Sequence, residues 1–150
     1  MPDEAQIRRL LDAARQARER AYAPYSNFPV GAALITPTGE IFSGCNIENA
    51  SFGATVCAER VALFTAMAAG HRRLAALAII ADTPEPAPPC GLCRQVLAEF
   101  NPDCVIIMAN LAGAQRSANL NELLPLAFRF PATEGSHGLT SGGKKRHERI

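Results

Sequence analysis

Residues 74–109 read LAALAIIADTPEPAPPCGLCRQVLAEFNPDCVIIMA, and the fold is decided here. Residues 74–81 and 104–109 are continuous apolar runs of strand length, the pattern of strands buried on both faces. Between them Pro88 and Pro89 precede a helical period over residues 90–100. Strand, helix and strand in this order form a crossover unit with parallel strands. Upstream, residues 57–69 repeat the helical period through Val61, Leu63, Phe64 and Met67, and Gly70 closes it. Residues 30–36 and 40–45 are strand-length runs joined by Pro37-Thr38-Gly39, a hairpin signal. An amphipathic helix over residues 3–22 (Ile7, Leu10, Leu11, Ala14) stands before them, and residues 23–29 break it. Downstream, residues 115–120 read as an edge strand and 121–128 as a short helix capped by Asn121. The link from Ala109 to Gly113 is too short for a crossover, so the last strand is antiparallel.

The expected architecture is α/β: three layers, α/β/α, around a mixed five-stranded sheet, with parallel neighbours wherever a helix joins central strands. Residues 1–132 form one domain, and the Gly-, Ser- and Lys-rich tail 133–150 is expected to be disordered. Hydrophobic residues make up 48% and charged residues 19%, with a net charge of +1, so neither nucleic acid nor a membrane surface is an expected partner. No apolar run is long enough for a bilayer, and Met-Pro-Asp-Glu lacks the order of a signal peptide, which points to the cytoplasm. Five cysteines are an odd number for a disulfide framework, and three of them have metal-ligand spacing.

Those three are Cys57, Cys90 and Cys93. Cys57 and Cys90 each fall at a predicted helix N-terminus, where free amides and the helix dipole favour a thiolate. Cys90 and Cys93 share one helical face. Alone, the Cys90/Cys93 pair also fits a redox dithiol or a structural zinc knuckle. Three thiols with no fourth ligand at suitable spacing fit a catalytic zinc site with an open position. Glu59, two residues after Cys57, then supplies an acid–base group beside that position. Zinc with three thiolates carries net negative charge, which opposes ionisation of a water there. Arg60 and Arg94 directly follow ligands and can donate to the sulfurs, and Gln95 stands next in the same motif. Cys45 and Cys104 read as core residues.

His or Cys before x-Glu, followed by Pro-Cys-x-x-Cys, is the established signature of zinc deaminases rather than something deduced from ligand geometry. Together with Tyr25-Ser26-Asn27-Phe28-Pro29-Val30-Gly31-Ala32, Gly44-Cys45-Asn46-Ile47-Glu48-Asn49-Ala50-Ser51-Phe52-Gly53, Cys57-Ala58-Glu59-Arg60 and Pro89-Cys90-Gly91-Leu92-Cys93-Arg94-Gln95, it closely resembles the cytidine deaminase family, in its small homotetrameric, all-cysteine form. The resemblance covers residues 10–128. It implies zinc-dependent hydrolysis of cytidine and deoxycytidine to uridine and deoxyuridine plus ammonia, with water adding at C4 and Glu59 carrying protons to N3 and to the leaving amino group. It implies that Asn46 and Glu48 bind the sugar 3′-hydroxyl, that Phe28 stacks near the base and that the Ala50 backbone contacts it. It further implies a tetramer in which the segment around Phe128 reaches a neighbouring site. Phe52 departs from the family, where Tyr is common, and so lacks a hydroxyl.

With Glu48 at the sugar, as the resemblance implies, its carboxylate would repel phosphate, which favours nucleosides over nucleotides. A deaminase of a cytosine-containing antibiotic such as blasticidin S would share the zinc site and differ in its sugar contacts. A polynucleotide deaminase needs a basic groove and stacking aromatics, whereas aromatic residues are 6% here. A structural zinc module has no use for Glu59.

Overall fold

The computed structural model describes residues 2–131, so the expected tail 133–150 lies outside the described residues. Helix α1 (Glu4–Arg18) opens on Asp3, whose carboxylate accepts from the Gln6 amide at 2.8 Å while the Gln6 side chain accepts from the Asp3 amide at 2.9 Å. This reciprocal cap satisfies two amides that a helix start leaves free. The helix stops before residue 22, because the Tyr22 amide donates instead to the Asn46 carbonyl at 3.0 Å. A tertiary partner takes the last turn of the helical period.

Strands β1 (Val30–Ile35) and β2 (Ile41–Cys45) form the expected hairpin, turning through Gly39 at φ 91°. That left-handed value is costly for a residue with a Cβ. Then follow α2 (Ala58–Ala68), β3 (Ala76–Ala81), α3 (Gly91–Phe100), β4 (Val105–Asn110), β5 (Gln115–Asn119) and α4 (Leu120–Leu123). A 3₁₀ turn at Phe52–Ala54, absent from the sequence reading, precedes α2. Helix α4 is capped at Asn119, not Asn121, and is much shorter than the expected 121–128. Pro125 disfavours helical backbone at the residue before it, and Leu124 is extended at φ −138°.

The five strands lie in the order β2-β1-β3-β4-β5. Only β3 and β4 are parallel; β1–β2, β1–β3 and β4–β5 are antiparallel. The mixed sheet and its antiparallel edge are as expected. The expectation of parallel neighbours on both sides of β3 is corrected: α2 carries the chain past β1, which inserts between β2 and β3. A helix between two strands sets their relative direction but not which strand lies between them.

The pleat divides the side chains between two cores. Ala33, Ile35, Ala76, Ala78, Ile80, Ile107 and Ala109 face α1 through Leu10 and Ala14. Ala32, Leu34, Leu77, Ile79, Ile106 and Met108 face α2 and α3 through Ala62, Leu63 and Leu97. Helices thus cover both faces, and α2 and α3 share the face on which the cysteines lie. Gly44 lets α2 sit directly on β2: a Cβ there would lie 2.4 Å from the Ala62 nitrogen and 2.8 Å from the Ala58 carbonyl oxygen. Gly44→Ala should therefore cost about 1–3 kcal/mol, as overpacking does. Urea unfolding checks it, and an unchanged midpoint would mean that α2 lifts off β2 without cost.

Candidate active site

Cys57 is the N-cap of α2 and Cys90 the N-cap of α3, while Cys93 lies in the first turn of α3. The two helix starts bring the three sulfurs within 4.8 Å of one another, with the Cys57 and Cys90 sulfurs 3.8 Å apart. Tetrahedral zinc with Zn–S bonds of about 2.3 Å spaces its sulfurs by about 3.8 Å. Cys90 is exposed, Cys57 partly buried and Cys93 buried, so the cluster opens on one side. Among the described residues it is the one group of three or more His, Cys, Asp or Glu side chains able to hold a metal ion.

Electrostatics agree with a cation. The Cys57 thiol is pulled down to about 5, first by its hydrogen bond with Cys93 and then by Arg60 and Cys90, against the cost of burial. Cys93 moves the other way, because its proton is held toward the Cys57 thiolate and because burial opposes a second charge. Ionising Cys93 beside the Cys57 thiolate calls for positive charge between them. Arg60 Nη2 stands 3.5 Å from the Cys57 sulfur and 3.3 Å from the Thr55 carbonyl oxygen. Its Nε–H is buried without a hydrogen-bond partner. The donor set and its spacing fit zinc.

Glu59 is 5% exposed, on the first turn of α2. Burial, the largest influence, raises its carboxyl above the ordinary glutamate range, and the Cys57 charge adds to this. A buried carboxyl two residues from a ligand thiol is placed to accept and return a proton.

Three short segments lace the other predicted residues to the metal loop. Ile47 pairs with Val56, the residue before Cys57, through reciprocal bonds of 2.9 and 3.0 Å, and Tyr22 pairs with Ile47 on the other side. Asn46 and Glu48 flank Ile47 and are each 9% exposed. Asn46 Oδ1 accepts from the Val30 amide at 2.8 Å, and its Nδ2 donates to the Phe28 carbonyl at 2.9 Å. The Glu48 carboxylate accepts from the Tyr25 amide at 2.7 Å, from the Ser26 amide and from the Ser26 hydroxyl. The hydroxyl is the main reason that the Glu48 carboxyl lies below its ordinary value. Phe28 is exposed on the loop that these bonds fix, and Ala50 is exposed on the bend after Glu48. Phe52 is exposed and meets Tyr25 edge-on at 5.6 Å.

Arg94 is a correction. It does not donate to a sulfur; its Nε donates to the Pro89 carbonyl at 2.7 Å and its Nη1 to the Leu123 carbonyl at 2.8 Å. Its reach is set by the C-terminal segment, which the local spacing of the motif does not reveal. Gln95 donates to the Phe128 carbonyl at 2.9 Å. The two side chains moor residues 123–128 to α3, and they leave the Phe128 ring exposed. Cys104 is buried as expected, whereas Cys45 is only partly buried. Ser26 received no role from sequence; its signal was a serine two residues before an amide it can cap, the pattern of an ST turn.

Residues 4–109 match the family model described as cytidine and deoxycytidylate deaminase zinc-binding region. The chain is 53% identical over 120 residues to a cytidine deaminase of Halalkalibacterium halodurans, covering 79% of this chain and 91% of that protein. It is 32% identical over 107 residues to a blasticidin-S deaminase of Bacillus cereus, covering 66% and 76%. The crystal structure of a cytidine deaminase from Burkholderia pseudomallei superposes with a TM-score of 0.79 at 50% identity, covering 85% of this chain and 100% of that one. A motif at metal-ligand spacing, a fold that gathers its thiols, and these likenesses agree: the chain belongs to the zinc-dependent cytidine and deoxycytidylate deaminase family.

Proposed function

We propose that the chain catalyses hydrolytic deamination of cytidine and deoxycytidine to uridine and deoxyuridine with release of ammonia. The observation that carries this is the three-thiol cluster with a buried carboxyl, Glu59, two residues from one of its sulfurs. Cys57, Cys90 and Cys93 would hold zinc, which supplies Lewis acidity and lowers the pKa of a water. Glu59 takes a proton from that water and delivers it to pyrimidine N3 as oxygen adds at C4. Glu59 then takes the second proton from the new C4 hydroxyl and passes it to the exocyclic amino group as C4=O forms and the C4–N bond breaks, so that ammonia leaves. Arg60 offsets the charge of the Cys57 thiolate. Asn46 and Glu48 take the sugar 3′-hydroxyl, Phe28 covers the base, and the Ala50 backbone meets its edge.

The sugar-side groups favour a nucleoside over blasticidin S, and so does the greater identity to cytidine deaminases. Turnover compared on both compounds decides between them. Consumption of a free nucleoside supports a place in pyrimidine salvage in the cytoplasm, which cell fractionation checks.

We further infer a homotetramer with shared sites. Leu126 and Phe130 are exposed beside Phe128, itself 66% exposed, an apolar strip with little cover from its own chain. Light scattering under assay conditions should give the mass of four chains, and a fully active monomer would overturn the sharing.

Two substitutions separate the roles around the metal. Glu59→Gln should keep zinc and fold while turnover of cytidine, followed by ultraviolet absorbance, falls by at least about 10²–10⁴-fold. Arg60→Gln should instead weaken zinc retention by about 10–100-fold against a chelator and lower activity with it. A Glu59→Gln enzyme with a tenth of normal activity contradicts the proton-carrying role. Unchanged zinc affinity in Arg60→Gln leaves Arg60 a mere surface charge.

A further inference from the structure

Ser26 lies in the loop between α1 and β1, and both its amide and its hydroxyl are engaged there. Its amide donates to both carboxylate oxygens of Glu48, at 3.2 and 3.3 Å. Its hydroxyl donates to Glu48 Oε1 and accepts from the Phe28 amide at 3.1 Å. One hydroxyl therefore holds both the carboxylate and the backbone of the aromatic residue. Asn27 between them adopts φ 50°, a left-handed turn that Asn tolerates better than most residues. The turn brings the Phe28 amide back onto the serine oxygen.

The consequence for Glu48 follows from counting acceptors. A carboxylate has about four lone-pair directions. The Tyr25 amide, the Ser26 amide and the Ser26 hydroxyl occupy most of them. No cation lies within ion-pair distance of this carboxylate among the described residues. Its charge is held by hydrogen bonds alone, and the direction left over is fixed by these donors, two of which belong to Ser26. Tyr25, Ser26, Glu48, Phe52 and Thr55 line one cavity of about 370 Å³, within the usual size of small-molecule sites.

We propose that Ser26 is a positioning residue that aims the free lone pair of Glu48 at the 3′-hydroxyl of the sugar, and so sets the preference for that hydroxyl. This rests on the reading above that Glu48 binds the sugar. Without the serine hydroxyl the carboxylate loses a donor and can rotate, while the zinc cluster and Glu59 are untouched.

The test compares cytidine with 3′-deoxycytidine, which lacks the hydroxyl, in the zinc-loaded enzyme. Hydrogen bonds to charged groups are worth about 10–100-fold, so the wild type should prefer cytidine in kcat/KM by that order. In Ser26→Ala the KM for cytidine should rise toward that extent, with kcat within about threefold, while 3′-deoxycytidine changes little. The preference thus collapses, and Ser26→Thr, which keeps the hydroxyl, restores it. Zinc content and thermal unfolding are read on each variant. Should the alanine variant not fold, Ser26→Cys, with its weak donor, reads the same ratio. Equal losses on both substrates would reduce Ser26 to a loop support and overturn the proposal, as would an unchanged preference. A wild type that turns over both substrates equally would instead remove Glu48 from sugar binding, and the role of Ser26 with it. A wild type inactive on cytidine would overturn the proposed function itself.

Discussion

Three thiolates within 4.8 Å of each other repel strongly, and the other features of the site follow from how that repulsion is met. Two helix N-termini converge on the cluster, each offering free amides and the positive end of a helix dipole. Arg60 adds a full positive charge at 3.5 Å from one sulfur. The Cys93 hydrogen bond and then Arg60 lower the Cys57 thiol, while Cys93 itself, beside that thiol and buried, is raised. A divalent cation completes the balance. Using three donors and no fourth leaves room for water, and the buried Glu59 gives that water's proton a place to go.

The substrate side is built from the same chain segments. Ile47 pairs with Val56, so the segment holding Asn46 and Glu48 is one residue from the metal loop along the bridge. Those two side chains hold the loop that presents Phe28. A shift of that loop therefore reaches both the sugar-side groups and the approach to Cys57. On the far side, Arg94 and Gln95 tie the C-terminal segment to the helix that carries Cys90 and Cys93. Movements of that segment, including any imposed by a neighbouring subunit, are transmitted to the start of α3.

The sequence was most legible where chemistry and local geometry coincide. Cys57 and Glu59 lie at the start of one helix and Cys90 and Cys93 at the start of another, so spacing placed each pair on one side while the known signature joined the two pairs, and the two faces of β3 and β4 were visible as uninterrupted apolar runs. Long-range partners were hidden. Nothing local says that β1 inserts between β2 and β3, that Tyr22 leaves the helix for Asn46, or that Arg94 reaches the Leu123 carbonyl instead of a sulfur. Pro125 did hold a local signal against a helix over 121–128, and the backbone obeyed it. Ser26 stood inside a recognised motif without a role because hydroxyl partners depend on folded neighbours.

X-ray absorption at the zinc edge of the fully loaded protein tests the central claim most directly. An open three-cysteine site predicts one zinc per chain with three sulfurs at about 2.3 Å and one light oxygen or nitrogen scatterer. Four sulfurs, or a fourth ligand contributed by another side chain, would make the site structural and contradict the catalytic account.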